Sequence, residues 1–374
     1  MVQLPVDCLN EIFEYLEDDI ITLHSCLLVN RLWCEVSLKI FWRNVEKYHD
    51  SNFHTLIACL PNESKEILYK NGIIISNPTS KPPMFNYASF CKVLSIDQVH
   101  YKLEQILRNQ QSILLQNLIN NTSILAQEIL KLFMIQISSL KELDFQSYLN
   151  TTFDFYPGAK CCLKNLSKLS CSSNISSEFF YQLSQICHNI LSLNISVVQV
   201  ISKGLSDLIS SQKNLKYLGI SYDGYDIDDE NLKDINSSFT NPNNLSNLYL
   251  WGIRHNISLS FIIKFINLQE LRLSFEYDEF FKNFEELQYA IFPKLQILKI
   301  QSTCTCQLLT TFLENNGKTL KELYVLDCDN SLYLAITKFC PNLKKLTIGF
   351  ENNNSEKVKL LYKSCQYLES VEIW

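Results

Sequence analysis

From residue 140 onward one short pattern keeps returning: Leu-x-x-Leu-x-Leu, with other apolar residues allowed at the Leu positions. It starts at 140 (LKELDF), 166 (LSKLSC), 190 (ILSLNI), 215 (LKYLGI), 245 (LSNLYL), 268 (LQELRL), 295 (LQILKI), 320 (LKELYV), 343 (LKKLTI) and 368 (LESVEI). Successive starts lie 26, 24, 25, 30, 23, 27, 25, 23 and 25 residues apart. Ten occurrences at so steady a period define a repeat, and a repeat restricts the fold more than any local propensity does. Alternating apolar residues predict a short strand with Leu on the inner side and the intervening residues facing outward. A helix-compatible stretch follows, such as SLYLAITKF at 331 or EKVKLLYKS at 356. One such unit cannot bury its apolar side, whereas stacked units share one continuous core. Asn165, Asn189, Asn214, Asn244, Asn267 and Asn342 precede the first apolar position, and Cys187, Cys340 and Cys365 sit three residues before it.

This combination resembles leucine-rich repeats of the Cys-containing kind. The resemblance implies an α/β solenoid with parallel strands on the concave face and helices on the convex face. The Asn or Cys that such repeats carry after the strand is present at few positions (Asn174, Cys328), so irregular turns are expected.

The N-terminal stretch LPVDCLNEIFEYL reads as a short amphipathic helix. Pro5 suits a first helical position and Asp7 the first turn. Leu9, Ile12, Phe13 and Leu16 fall on one face. After the acidic turn Glu17-Asp18-Asp19 come two more apolar runs, Leu23 to Leu28 and Leu32 to Trp42. Three helices this short share little core and need a partner or a larger body. Leu4-Pro5, Asp7, Leu9, Ile12, Phe13 and Leu16, followed by SCLLVNRLWC with Val29, Arg31 and Trp33, resemble the F-box motif. The family's fold is a three-helix unit that docks on the Skp adaptor of SCF-type cullin–RING ubiquitin ligases. The resemblance implies that Leu4, Pro5, Leu9, Ile12, Phe13, Leu16, Val29 and Trp33 form or support the adaptor interface. One face of so small a helix serves both roles, and periodicity does not separate them.

These readings divide the chain into an F-box at 1–45, a helical connector at 46–89 and a solenoid at 90–374. The segment 90–139 is its cap or its first degenerate repeats, with FCKVLSI at 90–96 as a candidate strand.

Composition excludes several classes. Apolar residues make up 47% of 374, enough for a large core and too many for general disorder. A net charge of −6 argues against a general nucleic-acid binder. The N-terminus lacks a signal-peptide pattern and no apolar run reaches the 18 residues of a membrane span, so a cytoplasmic or nuclear protein with reduced thiols is expected.

Catalytic and metal-binding constellations are weak. The six histidines show no ligand spacing. Cys304 and Cys306 form C-x-C, but Cys328 lies one repeat further on, where stacked buried thiols are expected rather than zinc. DGYDIDDE at 223–230 lacks the central Gly of a calcium loop. No Gly-rich phosphate loop or nucleophile elbow is present, and neither cofactor nor metal is expected.

The two longest repeats carry acid- and aromatic-rich segments after the strand: Tyr222, Asp223, Tyr225, Asp226, Asp228, Asp229 and Glu230, then Phe275, Glu276, Tyr277, Asp278 and Glu279. They are solvated loops or a rim for a basic partner, to which Tyr217, Tyr249 and Tyr324 on the outward strand positions would add contact area. The expectation is a non-catalytic receptor: F-box to the Skp adaptor and cullin–RING ligase, repeat arc to a target protein. The alternatives are a ligase-independent interaction scaffold and, on another footing, a GTPase regulator offering Arg254 or Arg272.

Overall fold

The computed structural model describes residues 4–75, 83–110, 115–146, 156–198, 201–222, 244–254, 258–302, 306–326, 329–349 and 355–373. The chain divides into two compact units, residues 1–169 and 170–374.

The first unit opens with α1 (Val6–Glu14), α2 (Ile20–Cys26) and α3 (Arg31–Phe41). Pro5 takes the extended cap position of α1 rather than its first helical turn, with φ −58° and ψ 151°. Asp19 caps α2 by accepting the Thr22 N–H at 3.0 Å, and Asn30 caps α3 through Trp33 N–H at 3.0 Å. These caps satisfy helix-end donors that have no partner within the helix. Leu9, Phe13, Leu23, Cys26, Val36 and Ile40 form the small core, with Leu16, Leu32, Trp33 and Phe41 against it.

Helices α4 (Asp50–Ala58) and α5 (Asn62–Lys70) follow, then β1 (Val93–Ser95), α6 (Ile96–Gln110), α7 (Leu115–Gln136), β2 (Glu142–Phe145) and α8 (Ala159–Leu163). β1 pairs with β2 in parallel, Leu94 beside Leu143. The ladder begins before β1. The Arg43 carbonyl accepts both Lys92 and Val93 N–H, at 2.8 and 3.0 Å, and Asn44 bridges to Val93. The Lys92 carbonyl takes Lys141 and Glu142 N–H in the same way, and the Lys141 carbonyl takes those of Ser167 and Lys168. The end of the three-helix segment is therefore built onto the strand ladder. Trp42, buried, packs on Tyr48 and Tyr87 with ring centroids 5.1 and 4.7 Å away, and its carbonyl accepts the Tyr48 hydroxyl at 2.6 Å.

The second unit is the repeat proper. β3 (Lys168–Ser172), which carries the division between the units, leads to α9 (Ser177–Ile186), β4 (Ser192–Val197), α10 (Lys203–Ser211) and β5 (Tyr217–Tyr222). Next come β6 (Asn247–Ile253), β7 (Glu270–Phe275) and β8 (Ile297–Ile300), with short 3-10 helices at Ser260–Lys264 and Asp278–Leu287. Then follow α11 (Cys306–Asn316), β9 (Glu322–Val325), α12 (Asn330–Phe339), β10 (Lys345–Ile348), α13 (Ser355–Ser364) and β11 (Ser370–Ile373). All ten sequence repeats thus end on a strand, and within the unit the strands lie in chain order and pair in parallel. Leu218, Leu248, Leu271, Leu298, Leu323 and Leu346 stand in one register and are buried. Stacking like side chains at one height gives the shared core that the repeat period requires.

The position three or four residues before each motif is satisfied by unlike residues. Cys365 Sγ donates to the Cys340 carbonyl at 3.3 Å. Gln212 donates to the Cys187 carbonyl at 2.6 Å and accepts Ile190 N–H at 3.0 Å. Asn316 donates to the Ala290 carbonyl at 2.8 Å and accepts Phe292 N–H at 2.7 Å. Each ties one turn to the turn before it. The Asn preceding the first apolar residue does likewise: Asn244 reaches the Lys213 carbonyl at 2.6 Å, and Asn342 the Lys318 carbonyl at 2.8 Å.

Glycine is required at two places. A Cβ on Gly204 would lie 1.9 Å from the Ser177 carbonyl oxygen, so α9 and α10 approach only because that atom is missing. Gly252, at φ +68°, sits in a bulge between β6 and β7 that breaks the alternation and turns Ile253 in.

Candidate functional site

Two surfaces emerge. In the first unit, α1 divides its apolar residues between two sides. Leu9 and Phe13 are 1% and 2% exposed, Phe13 meeting the Trp33 ring edge-on at 5.1 Å. They support the surface from below. Ile12 is 48% exposed and Tyr15 90%, on the opposite side with Cys8. Leu4, Pro5 and Val29 are exposed, and Leu16 and Trp33 half-buried. Ile21 and Leu28, which the motif did not single out, are 82% and 79% exposed. Large apolar side chains of the three-helix segment are thus left in water.

Ion pairs fix this segment to the ladder. Arg43 holds both oxygens of Glu14, at 2.6 and 2.5 Å, and Lys47 holds Asp18 at 2.7 Å. The hydrogen bond from Arg43 lowers the Glu14 carboxyl below its ordinary value, and its charge adds to that.

In the second unit the outward strand face carries the other surface. Tyr249, Arg272, Lys299 and Tyr324 occupy one register across β6 to β9. Tyr217 packs edge-on against Tyr249 at 4.8 Å, and the Arg272 guanidinium lies 4.3 Å above the Tyr249 ring. Beneath them Glu270, buried, accepts Asn247 Nδ2 at 2.7 Å and Arg272 Nε at 2.6 Å, along with the Tyr249 hydroxyl. Burial pushes the Glu270 carboxyl up, but these donors outweigh it and leave it below its ordinary value. Burial and the bond to Glu270 raise the Tyr249 phenol well above its usual range. Tyr217, Tyr249 and Tyr324 therefore stand half-buried on one rigid polar face, and the exposed Trp251 extends it. Trp251 continues the outward alternation of Asn247 and Tyr249, one residue beyond the Leu-x-x-Leu-x-Leu motif, and the bulge at Gly252 then turns Ile253 inward.

The acidic rim is only partly in view. Tyr225, Asp226, Asp228 and Asp229, with Asp223 and Glu230, lie outside the described residues, as do Cys304 and Cys328. Tyr222 and Phe275, read as loop residues, end β5 and β7 and are buried, because each closes the apolar alternation of its strand. Tyr277 is exposed. Glu276 is engaged by Arg254 at 2.5 Å, so that arginine and that acid neutralise each other. Arg272 is likewise held by Glu270 at 2.5 Å. Among the described residues no group of His, Cys, Asp and Glu could hold a metal ion, and no helix is long and apolar enough to cross a membrane.

Residues 1–47 match the family model described as F-box-like. A comparison with curated proteins gives no match. Among solved structures, the complex of Rad7 and Elc1 in yeast is similar at 14% identity and TM-score 0.40, over 74% of this chain and 68% of that one. A leucine-rich-repeat protein of Leptospira interrogans is similar at 20% identity and TM-score 0.33, over 58% of this chain and 50% of that one. An internalin from Listeria monocytogenes is similar at 14% identity and TM-score 0.30, over 65% and 84%. The chain thus carries an F-box-like domain at its N-terminus and continues as a parallel-stranded α/β repeat of the leucine-rich kind.

Proposed function

We propose that this chain is a substrate-recognition subunit of an SCF-type cullin–RING E3 ubiquitin ligase. Its N-terminal domain binds a Skp-type adaptor, and its repeat unit holds a target protein. The observation that carries this reading is the exposed apolar set Leu4, Ile12, Leu28 and Val29 on an F-box-like domain whose core residues lie directly behind it. The chain needs no catalytic residue in this role: holding a target lysine near a loaded conjugating enzyme raises its effective concentration. The half-buried tyrosines of the strand face supply contact area for the target. Cytoplasm or nucleus is the compartment this role implies.

The test is co-precipitation of the tagged full chain with adaptor and cullin, with an I12D/V29D variant as control. Recovery of both with the wild type, and of neither with the variant, is the expected result. Adaptor without cullin would replace this reading by a ligase-independent complex, and absence of adaptor would end it.

A further inference from the structure

The edge of the sheet where strands β7 to β11 begin forms a groove of about 570 Å³. Its lining includes Lys294, Lys318, Lys321, Lys344, Asn342 and Tyr367. On a chain of net charge −6 this is a local concentration of positive charge without an acidic residue in the lining. Among the described residues Lys294, Lys318 and Lys321 make no ion pair and all three are exposed. Lys344 already holds a carboxylate, that of Glu369, at 2.9 Å across adjacent rungs, and this bond raises the Lys344 ammonium above its ordinary value. The groove thus shows on its own rim the chemistry it can offer a visitor.

The repeat places these cations. The lining residues fall at the two positions before and the one position after the first apolar residue of each motif: Gln269, then Pro293, Lys294 and Gln296, then Lys318, Thr319 and Lys321, then Asn342 and Lys344, then Tyr367. Because this phase recurs on every rung, the stripe runs across the strands. Four rung spacings of about 4.8 Å make it roughly 19 Å long. That is the reach of about six residues of extended chain at roughly 3.3 Å each. A chain of that length can set several carboxylates along a stripe of cations, which a single small anion cannot do. Tyr367, 62% exposed, offers a ring at one end. Lysine is a flexible point charge, and without arginine the groove lacks the rigid fork that favours bidentate phosphate recognition.

We propose that this groove docks an extended, carboxylate-rich segment of a partner protein, with Lys294, Lys318 and Lys321 as the principal contacts. The proposal does not depend on what the N-terminal domain binds.

The experiment is fluorescence anisotropy of the full chain with a labelled decapeptide of Glu and Asp, against the same peptide with Gln and Asn. Binding of the acidic peptide alone, weakened at least tenfold in K294Q/K318Q/K321Q and weakened steeply by salt, is the expected result. Melting temperature checks that the triple variant is folded, and K321Q alone should weaken binding in the same direction. Equal affinity of wild type and both variants, equal affinity for the two peptides, or no binding at low salt would overturn the proposal. So would displacement of the peptide by inorganic phosphate at matched ionic strength, which assigns the site to a small anion. Preference for a single-stranded oligonucleotide would assign it to nucleic acid instead.

Discussion

Arg43 grips Glu14 with both terminal guanidinium nitrogens, at 2.6 and 2.5 Å, while its own carbonyl receives the N–H groups of Lys92 and Val93. One residue thereby joins α1 to the first rung of the ladder. It does so from residue 43, which the sequence pattern places inside the N-terminal segment 1–45, before the connector at 46–89.

The pair has a pH signature. Arg43 depresses the Glu14 pKa in the folded chain, so the stabilisation is present above the ordinary carboxylate value and is lost as pH falls through the lowered one. The groups are partly exposed, so R43A should cost at most about 1 kcal/mol at neutral pH. Urea titrations between neutral and acid pH should show the difference between wild type and R43A shrinking towards acid. A constant difference would mean that the ion pair contributes nothing and that the arginine acts through its packing.

The two sides of α1 should separate in experiment. Leu9→Ala empties a core position and should cost about 2–5 kcal/mol of stability. Ile12→Asp touches no core and should leave the melting temperature nearly unchanged, while adaptor affinity falls at least tenfold, the size of losing one buried aliphatic contact of about 1.5–3 kcal/mol. Calorimetry and adaptor titration on both variants check this. Unchanged affinity in folded I12D would remove the proposed interface.

Gln212 and Asn316 should matter more than amides usually do. Each pairs with a buried carbonyl and a buried N–H of the preceding turn. Truncation to Ala takes this partner from both groups, at about 1–3 kcal/mol for each buried group left unpaired. Denaturant titration of Q212A and N316A should show losses of that order, against nearly none for exposed Gln269→Ala.

Much of the second unit was legible because its signal is redundant. Ten copies of one alternation, each sharing a core with its neighbours, place every strand even where a single copy would be ambiguous. The tie between turns was legible only in part, because Cys187, Cys340 and Cys365 look like one signal while Gln212 and Asn316 do the same task with different chemistry. Sorting Phe13 from Ile12 was beyond the sequence for a physical reason. They are adjacent on the same short helix, and the packing of α2 and α3, with Trp33 edge-on to Phe13, decides which one is covered. Trp251 faces outward by the same alternation as Tyr249 but lies one residue past the repeated motif, where the pattern gives no signal.

Gly204→Ala adds a single methyl group where the Ser177 carbonyl leaves no room. Backbone cannot yield as a side-chain end can, so α9 and α10 must move apart. Overpacking of this kind costs about 1–3 kcal/mol, the opposite sign from the usual gain of Ala over Gly within a helix. Thermal melts of G204A decide it: a raised melting temperature would show that the two helices separate freely.

Glu270 tests whether the strand face is held by its buried charge. The carboxylate faces donors from Asn247, Tyr249 and Arg272 at once. Gln has nearly the same shape but brings an NH2 group into a ring of donors, so at least one contact becomes donor against donor. E270Q should therefore lose about 1–3 kcal/mol at neutral pH, more than Tyr249→Phe, which removes one donor and leaves the acceptor satisfied by the others. The folded-state pKa of Glu270 lies below its ordinary value, because its donors outweigh its burial. Its contribution is then complete above the ordinary carboxylate pKa and disappears as pH falls through the lowered one. The stability gap between wild type and E270Q should close on acidification, whereas the gap for Y249F should change less. Denaturant titrations of the three proteins at neutral and acid pH measure both. If the E270Q gap is the same at both pH values, Tyr217, Tyr249 and Arg272 are positioned by packing alone and the buried carboxylate is not what organises this face.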